Sequence, residues 1–142
     1  MRLNCGIYPE NLTDEHLFAE QRELKMLPSL YGRLKAHDMS SVPDRFTLGK
    51  GHMLFFLYKP GYTLDRYNKV FNECVKRGFK IEDESFRWDV YPEKHEGYTE
   101  IGFEKQIIAE RIVEKIKSSP KPWFHYHGER VSKDDAIKLL LK

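Results

Sequence analysis

The sequence predicts an all-α fold, a single compact domain of three main helices joined by long loops. Three stretches repeat apolar residues at helical spacing, while strand patterns are scarce. A chain of 142 residues suits one domain with one core, and 40% hydrophobic residues suffice to build that core. We therefore expect residues 1–142 to fold as one unit.

The first helix is expected to begin after Thr13, whose hydroxyl can cap it. Asp14 and Glu15 follow in the first turn, where the helix dipole favours acidic side chains. Pro28 should kink or break this helix, because proline lacks the backbone N–H that a helix interior needs. A second helical piece is then expected over residues 29–37.

Residues 48–58 allow two interpretations. Their apolar run suits a buried strand, but the glycines within it suggest a loop that passes close to another group. Residues 60–61, a Pro-Gly pair, indicate a turn. Thr63 should then cap the second long helix, and Gly78 should end it as a C-terminal glycine does.

The second half of the chain should contain one long helix between irregular segments. Residues 80–97 are acidic and predict a loop, and a third long helix is expected over about 99–117. Its core side carries isoleucines at helical spacing, at positions 101, 108, 112 and 116. An aromatic tail at 123–127 precedes a short basic helix predicted over 132–141.

The net charge of +2 hides an uneven distribution of charge along the chain. Residues 45–80 carry eight basic and two acidic side chains, and residues 105–142 carry nine and five. Residues 81–104, between them, carry two basic and eight acidic side chains. Two basic segments could form one positive face for nucleic acid, or simply two solvated faces.

Several classes of protein are not indicated. No apolar run approaches the roughly 20 residues that span a bilayer, and the first residues do not begin a secretory leader. We expect a cytoplasmic protein in which Cys5 and Cys74 are free thiols. His125 and His127 invite a metal interpretation, but no Cys or Asp stands close in sequence to complete a site. Since nucleotide-binding glycine motifs are also absent from the sequence, we expect neither metal nor cofactor.

Two pairs of charged residues share helix faces. His16 and Glu23 are seven residues apart, which is two helical turns, and Arg111 and Lys115 are four apart. The two cations could clamp successive phosphates. Both pairs could equally be solvated surface, and the rings of the aromatic tail could close a core rather than stack on bases.

Four segments together carry a resemblance to a known family. They are DEHLFAEQREL at 14–24, LGKGHMLFF at 48–56, ECVKRGF at 73–79 and PWFHYHG at 122–128. Their order and spacing resemble the phage-type pyrimidine-dimer DNA glycosylase/AP lyase, the endonuclease V of UV-damage repair. The resemblance covers about residues 1–129 and leaves 129–142 as a C-terminal extension without a counterpart.

The resemblance implies an enzyme whose nucleophile is the α-amine of the first residue, with an N-terminal segment that reaches the active site. That position is Met1 here, and a methionine before the bulky Arg2 is normally retained. An α-amine has a pKa near 7.7–8.0, against about 10.4 for lysine, so a useful fraction is neutral at physiological pH. The amine attacks C1′ of the damaged nucleotide to form an imine, and β-elimination then cuts the strand. The matching helix glutamate, which stabilises the charged sugar, is Glu23.

The family's DNA contacts carry over to part of this sequence. They fall on Arg2, His16, Arg22, Arg111 and Lys115, and the matched segments add Lys50, Trp123 and Tyr126 as candidates. Two departures stand out. Glu15 replaces a common glutamine and would repel phosphate, and residues 25–27 look inserted, with Lys25 as a substitute for a lost cation.

These implications give one hypothesis and two alternatives. The first is a monomeric glycosylase/AP lyase acting on cyclobutane pyrimidine dimers in double-stranded DNA, in the cytoplasm or at the nucleoid. The second keeps the chemistry but acts on another lesion, such as a ring-opened purine or an abasic site. The third is a DNA-binding module of the same fold without catalysis.

Overall fold

The computed structural model describes residues 3–34, 43, 45–49, 51–92, 98 and 103–142. Within them lie six α-helices, two short 3-10 helices and one antiparallel hairpin, which confirms the all-α class. The α-helices are α1 Asp14–Leu24, α2 Met26–Leu34, α3 Gly51–Leu57, α4 Pro60–Lys76, α5 Phe103–Ser118 and α6 Lys133–Leu140. The 3-10 helices are Pro9–Asn11 and Ser85–Val90, and the strands are β1 Trp123–Tyr126 and β2 Glu129–Ser132. None of the described helices is long and apolar enough to cross a bilayer.

Helix α1 begins where the sequence predicted and ends earlier. Thr13 caps it, and its hydroxyl oxygen accepts the backbone N–H of His16 at 3.3 Å. The helix stops at Leu24 rather than at Pro28. Pro28 instead lies in the first turn of α2, where backbone N–H groups have no helical acceptor and the missing donor costs little. Residues 35–37, which were expected to belong to this second helix, lie outside the described part of the chain.

Residues 51–57 form α3, so both the strand and the loop interpretation of this segment were wrong. Five of the seven residues of α3 are buried, namely His52, Met53, Phe55, Phe56 and Leu57. A helix buried on most sides shows no polar face, and its sequence therefore lacks the period that marks a surface helix. Gly49, with a φ of +75°, precedes it.

Helix α4 begins at Pro60, so the predicted turn at residues 60–61 was also wrong. Proline suits this first helical position because its φ is already helical. Thr63 does not cap the helix but lies within it, and its hydroxyl donates to the carbonyl of Lys59 at 3.2 Å. Gly78 follows the helix with a φ of +85°, as predicted.

The acidic segment after α4 is less irregular than predicted. Residues 85–90 form a 3-10 helix, and Trp88 within it is fully buried, with its indole N–H donated to the Thr63 hydroxyl at 3.0 Å. Helix α5 buries Ile108, Ile112 and Ile116, as the spacing predicted. The expected start of that helix near residue 99 lies outside the described residues.

The aromatic tail is a β-strand. Its residues 123–126 pair with β2 across a turn in which His127 and Gly128 both have positive φ, the pattern of a tight two-residue hairpin. Helix α6 follows, capped by Ser132, and packs on α5 and β1. It carries two lysines and two aspartates, so it is not the basic helix that we expected.

A buried ion pair fixes the N-terminal segment against the helices. Arg66 of α4 donates to both carboxylate oxygens of Glu20 of α1, each at 2.8 Å. Glu20 also accepts the backbone and side-chain N–H groups of Asn4, each at 3.1 Å. Arg66 donates further to the carbonyl of Ile7 at 2.6 Å. Two helices and residues 4–7 therefore meet at one charged cluster.

Arg66→Met is expected to destabilise the fold strongly, since it leaves the Glu20 carboxylate buried without its partner. Loss of one member of a buried pair costs about 3–5 kcal/mol, to be measured by urea unfolding near neutral pH. Lys69→Met is the matched control, because Lys69 pairs with Asp65 at the surface, where both side chains are 64% exposed. Equal unfolding free energies for the two variants would contradict the prediction.

Candidate active site

A small pocket of about 80 Å³ lies between the N-terminal segment, α1 and α5. Candidate residues from two helices that are distant in sequence meet there, His16 and Glu23 from α1 and Arg111 and Lys115 from α5. The other described lining residues are Asn4, Ala19, Glu20 and Ile112. The pocket therefore combines carboxylates, an imidazole and two cations.

Helix periodicity explains why these side chains converge. On α1, Leu17 and Leu24 are fully buried, and the neighbouring face presents His16 and Glu23 two turns apart. On α5, the buried Ile108, Ile112 and Ile116 fix the orientation of the helix, so that Arg111 and Lys115 lie one turn apart beside the core. Core packing thus turns both polar faces toward one opening.

Glu23 is the half-buried acid of the pocket. Burial raises the pKa of its carboxyl above the ordinary value, and the charges of Lys115 and Arg22 oppose that rise. Its carboxyl is therefore protonated at a higher pH than that of an ordinary glutamate. Such a group is suited to exchanging protons with a reacting molecule.

Glu20, three residues earlier, is a carboxylate of a different kind. It is 1% exposed, and its two oxygens bind Arg66 and Asn4. Sequence reasoning missed it, although a signal was present. Residues 17, 20, 21 and 24 form the buried stripe of α1, and a glutamate within an apolar stripe calls for a buried partner.

His16 lies at the edge of the pocket as a neutral imidazole. Burial lowers its pKa, and Lys115 lowers it further against the opposing charge of Glu15. Its Nδ1 lies 2.8 Å from the Thr13 hydroxyl, and its ring stacks on Phe124 with centroids 5.6 Å apart. Phe124, which the sequence did not single out, is thus the aromatic of the tail that touches a pocket residue.

The remaining candidates are dispersed. Arg22 is exposed on α1 but is not among the described residues that line the pocket. Trp123 is 38% exposed, with the Arg130 guanidinium 4.2 Å from its ring centroid. Tyr126, at the other end of the strand, donates its hydroxyl to the carbonyl of Glu10 at 2.7 Å. Met1, Arg2 and Lys50 lie outside the described residues.

The acids of the first turn of α1 hold the hairpin. Glu15 accepts the backbone N–H of His125 at 2.9 Å and lies 2.8 Å from its Nδ1. Asp14 accepts the backbone N–H groups of His127 and Gly128. The two histidines face acids of different helices, since His127 lies 3.9 Å from Glu73 of α4. In the part of the chain that the structure describes, no three side chains form a possible metal site.

Comparison with known families assigns the chain to one of them. The family of the pyrimidine dimer DNA glycosylase matches residues 1–86 of the chain. This chain belongs to the pyrimidine dimer DNA glycosylase family. The family inferred from the sequence segments is thereby confirmed, and the substrate is DNA. Three of the four segments lie within the matched range, and the fourth, at 122–128, lies beyond it.

The family match covers one wall of the pocket and not the other. Residues 1–86 of this glycosylase include α1 through α4 and therefore Glu20, Glu23 and Arg66. Arg111 and Lys115 of α5 lie beyond the matched range, as does the hairpin that binds Asp14 and Glu15. The pocket of the glycosylase is thus completed by a part of the chain that the match does not reach.

Proposed function

We propose that the chain is a bifunctional glycosylase/AP lyase that acts as a monomer on cyclobutane pyrimidine dimers in double-stranded DNA. The nucleophile in this proposal is the α-amine of Met1, and the carboxyl that assists it is Glu23. The observation that supports it best is that Asn4 and Glu23 line the same pocket. An extended chain advances at most about 3.6 Å per residue, so a terminal amine two residues before Leu3 lies within about 7 Å of its nitrogen.

The proposed reaction proceeds in two stages. The neutral amine attacks C1′ of the damaged nucleotide, a bond from nitrogen to C1′ forms, and the bond from C1′ to the base breaks with its electron pair leaving on the base. The sugar ring then opens, with a proton going to its ring oxygen, and leaves a protonated imine. Removal of a C2′ proton drives β-elimination, which breaks the C3′–O bond and expels the 3′ phosphate.

Glu23 is suited to both stages. Its ionised form stabilises the positive charge that develops on the sugar and can accept a proton. The raised pKa of its carboxyl brings the protonated form closer to neutral pH, which helps return a proton to the sugar oxygen. Glu20 does not share this role in the proposal, because its oxygens are bound to Arg66 and Asn4.

The proposed DNA contacts differ in kind. Arg111 and Lys115 are exposed, line the pocket and would bind successive phosphates. The exposed ring of Trp123 is suited to stacking on a base. We assign further contacts to Arg2, His16, Arg22, Lys50 and Tyr126.

A short uncleaved extension before Met1 is expected to abolish imine formation. The extension converts the α-amine to an amide, which has no basic lone pair, and adds bulk where the sugar must approach Glu23. The measurement is borohydride cross-linking to an abasic duplex, with the same extension placed after Lys142 as the control.

The outcomes of this experiment separate the alternatives. Equal trapping by both proteins would move the nucleophile to a lysine, with Lys50 ahead of Lys25, whose amine pairs with Glu84. No trapping by either protein would favour a DNA-binding module without catalysis. If only the protein with the untagged N-terminus is trapped, the next step is to compare nicking of UV-irradiated plasmid with nicking of abasic plasmid. That comparison distinguishes pyrimidine dimers from another lesion as the substrate.

Glu23→Gln is expected to lose strand cutting by roughly 10²–10⁴-fold while binding to damaged DNA persists. The same variant should be more stable than the parent at pH 7. A carboxyl whose pKa is raised by folding favours the folded state when protonated, and this stability is lost as the pH rises through the raised pKa. The gain should therefore disappear below the ordinary glutamate pKa, as thermal unfolding at pH 3 and pH 7 would test. Near-normal turnover would make Glu23 an ordinary surface acid.

Arg111→Ala and Lys115→Ala are each expected to weaken binding to damaged and undamaged DNA alike. Each lost phosphate contact lowers the slope of log K against log salt by about 0.9. Lys138→Ala removes the same charge from an exposed position on α6 and should leave the slope unchanged. The idea fails if all three variants bind with the parental slope.

A further inference from the structure

We propose that His52 is a positioning residue that sets where the N-terminal residues of the chain enter the pocket, an inference that rests on the proposed function. Its imidazole does so by binding the backbone of Leu3. His52 is fully buried in α3 and is not among the described residues that line the pocket, so it would act through the N-terminal segment rather than on DNA.

The two partners of His52 determine its protonation and its tautomer. Nε2 accepts the backbone N–H of Leu3 at 2.9 Å, so this nitrogen must carry a lone pair. Nδ1 lies 2.8 Å from the carbonyl oxygen of Thr47, which can only accept, so this nitrogen must carry the hydrogen. A neutral ring with its proton on Nδ1 satisfies both contacts, and burial favours that neutral form by lowering the pKa of the imidazole.

Aromatic side chains pack around the imidazole. Phe56 and Phe46 meet it edge-on, with centroids 5.2 Å and 5.5 Å away. Phe56 is itself fully buried. The hydrogen bonds to Leu3 and Thr47, rather than these ring contacts, set the orientation of the imidazole.

His52 and Glu20 anchor consecutive residues of the N-terminal segment. His52 binds the amide of Leu3, and Glu20 binds the amide of Asn4. Leu3 lies only two positions after Met1, which carries the proposed nucleophile, so the direction in which the chain leaves Leu3 strongly limits where that amine can stand. A misplacement of about 1 Å can cost about 10²-fold in rate.

The test compares two substitutions of His52 in the full chain. His52→Phe keeps an aromatic ring but removes the acceptor, and His52→Gln restores an oxygen that can accept from Leu3. We expect His52→Phe to slow single-turnover borohydride trapping on an abasic duplex by about 10–100-fold, with the Kd for that duplex within about twofold. His52→Gln should recover most of the lost rate, and exchange of the Leu3 amide hydrogen should be faster in His52→Phe alone.

Phe56→Leu is the matched control for loss of core packing. It removes a ring that touches His52 but leaves the bond to Leu3, so trapping measured well below its Tm should stay at the parental rate. In the parent, the imidazole nitrogen signals in NMR spectra should show the Nδ1–H tautomer.

Several results would overturn the inference. They are parental trapping by His52→Phe, the same loss in Phe56→Leu as in His52→Phe, no recovery in His52→Gln, or an Nε2–H tautomer. Failure of the parent itself to trap would instead reject the proposed function, and with it any amine for His52 to position. Failure of the inference alone is recognised by a parent that traps normally.

Discussion

Glu20 and Arg66 are buried side chains of opposite charge, and either one would be costly to keep in the core without the other. Their two parallel hydrogen bonds join α1 to α4. Each side chain also binds the backbone: Glu20 accepts the N–H of Asn4, and Arg66 donates to the carbonyl of Ile7. Residues 3–8, the described part of the N-terminal segment, form neither helix nor strand, and this pair gives them the fixed position that secondary structure would otherwise provide.

Glu20 and Glu23 are two carboxylates on one helix whose different environments suit them to different roles. They lie three residues apart, so their side chains are offset by about 60° around the helix axis, and Glu20 falls on the buried stripe of α1 while Glu23 does not. Glu20 faces the core and has hydrogen-bond donors for both oxygens, which makes it part of the framework. Glu23 is half-buried at the pocket, and burial raises the pKa of its carboxyl. Proton exchange at the pocket is therefore proposed for Glu23 and not for Glu20.

The distant ends of the chain are tied to the same helix. Residues 3–7 meet α1 through Glu20, and the hairpin meets its first turn through Asp14 and Glu15. The hairpin in turn packs on α6, and α6 on α5, which carries the cations of the pocket. The C-terminal part of the chain, beyond the range of the family match, therefore supports the same pocket as the matched part. It also gives Glu15, which the sequence marked as a departure from the family, a structural role.

The sequence by itself determined the features that depend on near neighbours. The cap at Thr13, the stop at Gly78, the core face of α5 and the shared faces of the charged pairs all follow from helical periodicity and local chemistry. It could not determine α3, whose burial on most sides erases the periodic signal, nor the strand at 123–126, whose pairing needs β2. The meeting of Glu23 with Lys115, and the binding of Leu3 by His52, were decided by the tertiary structure alone. The reason is physical: a sequence pattern records which face of an element is apolar, while the partner of a buried polar group depends on which distant segment packs against it.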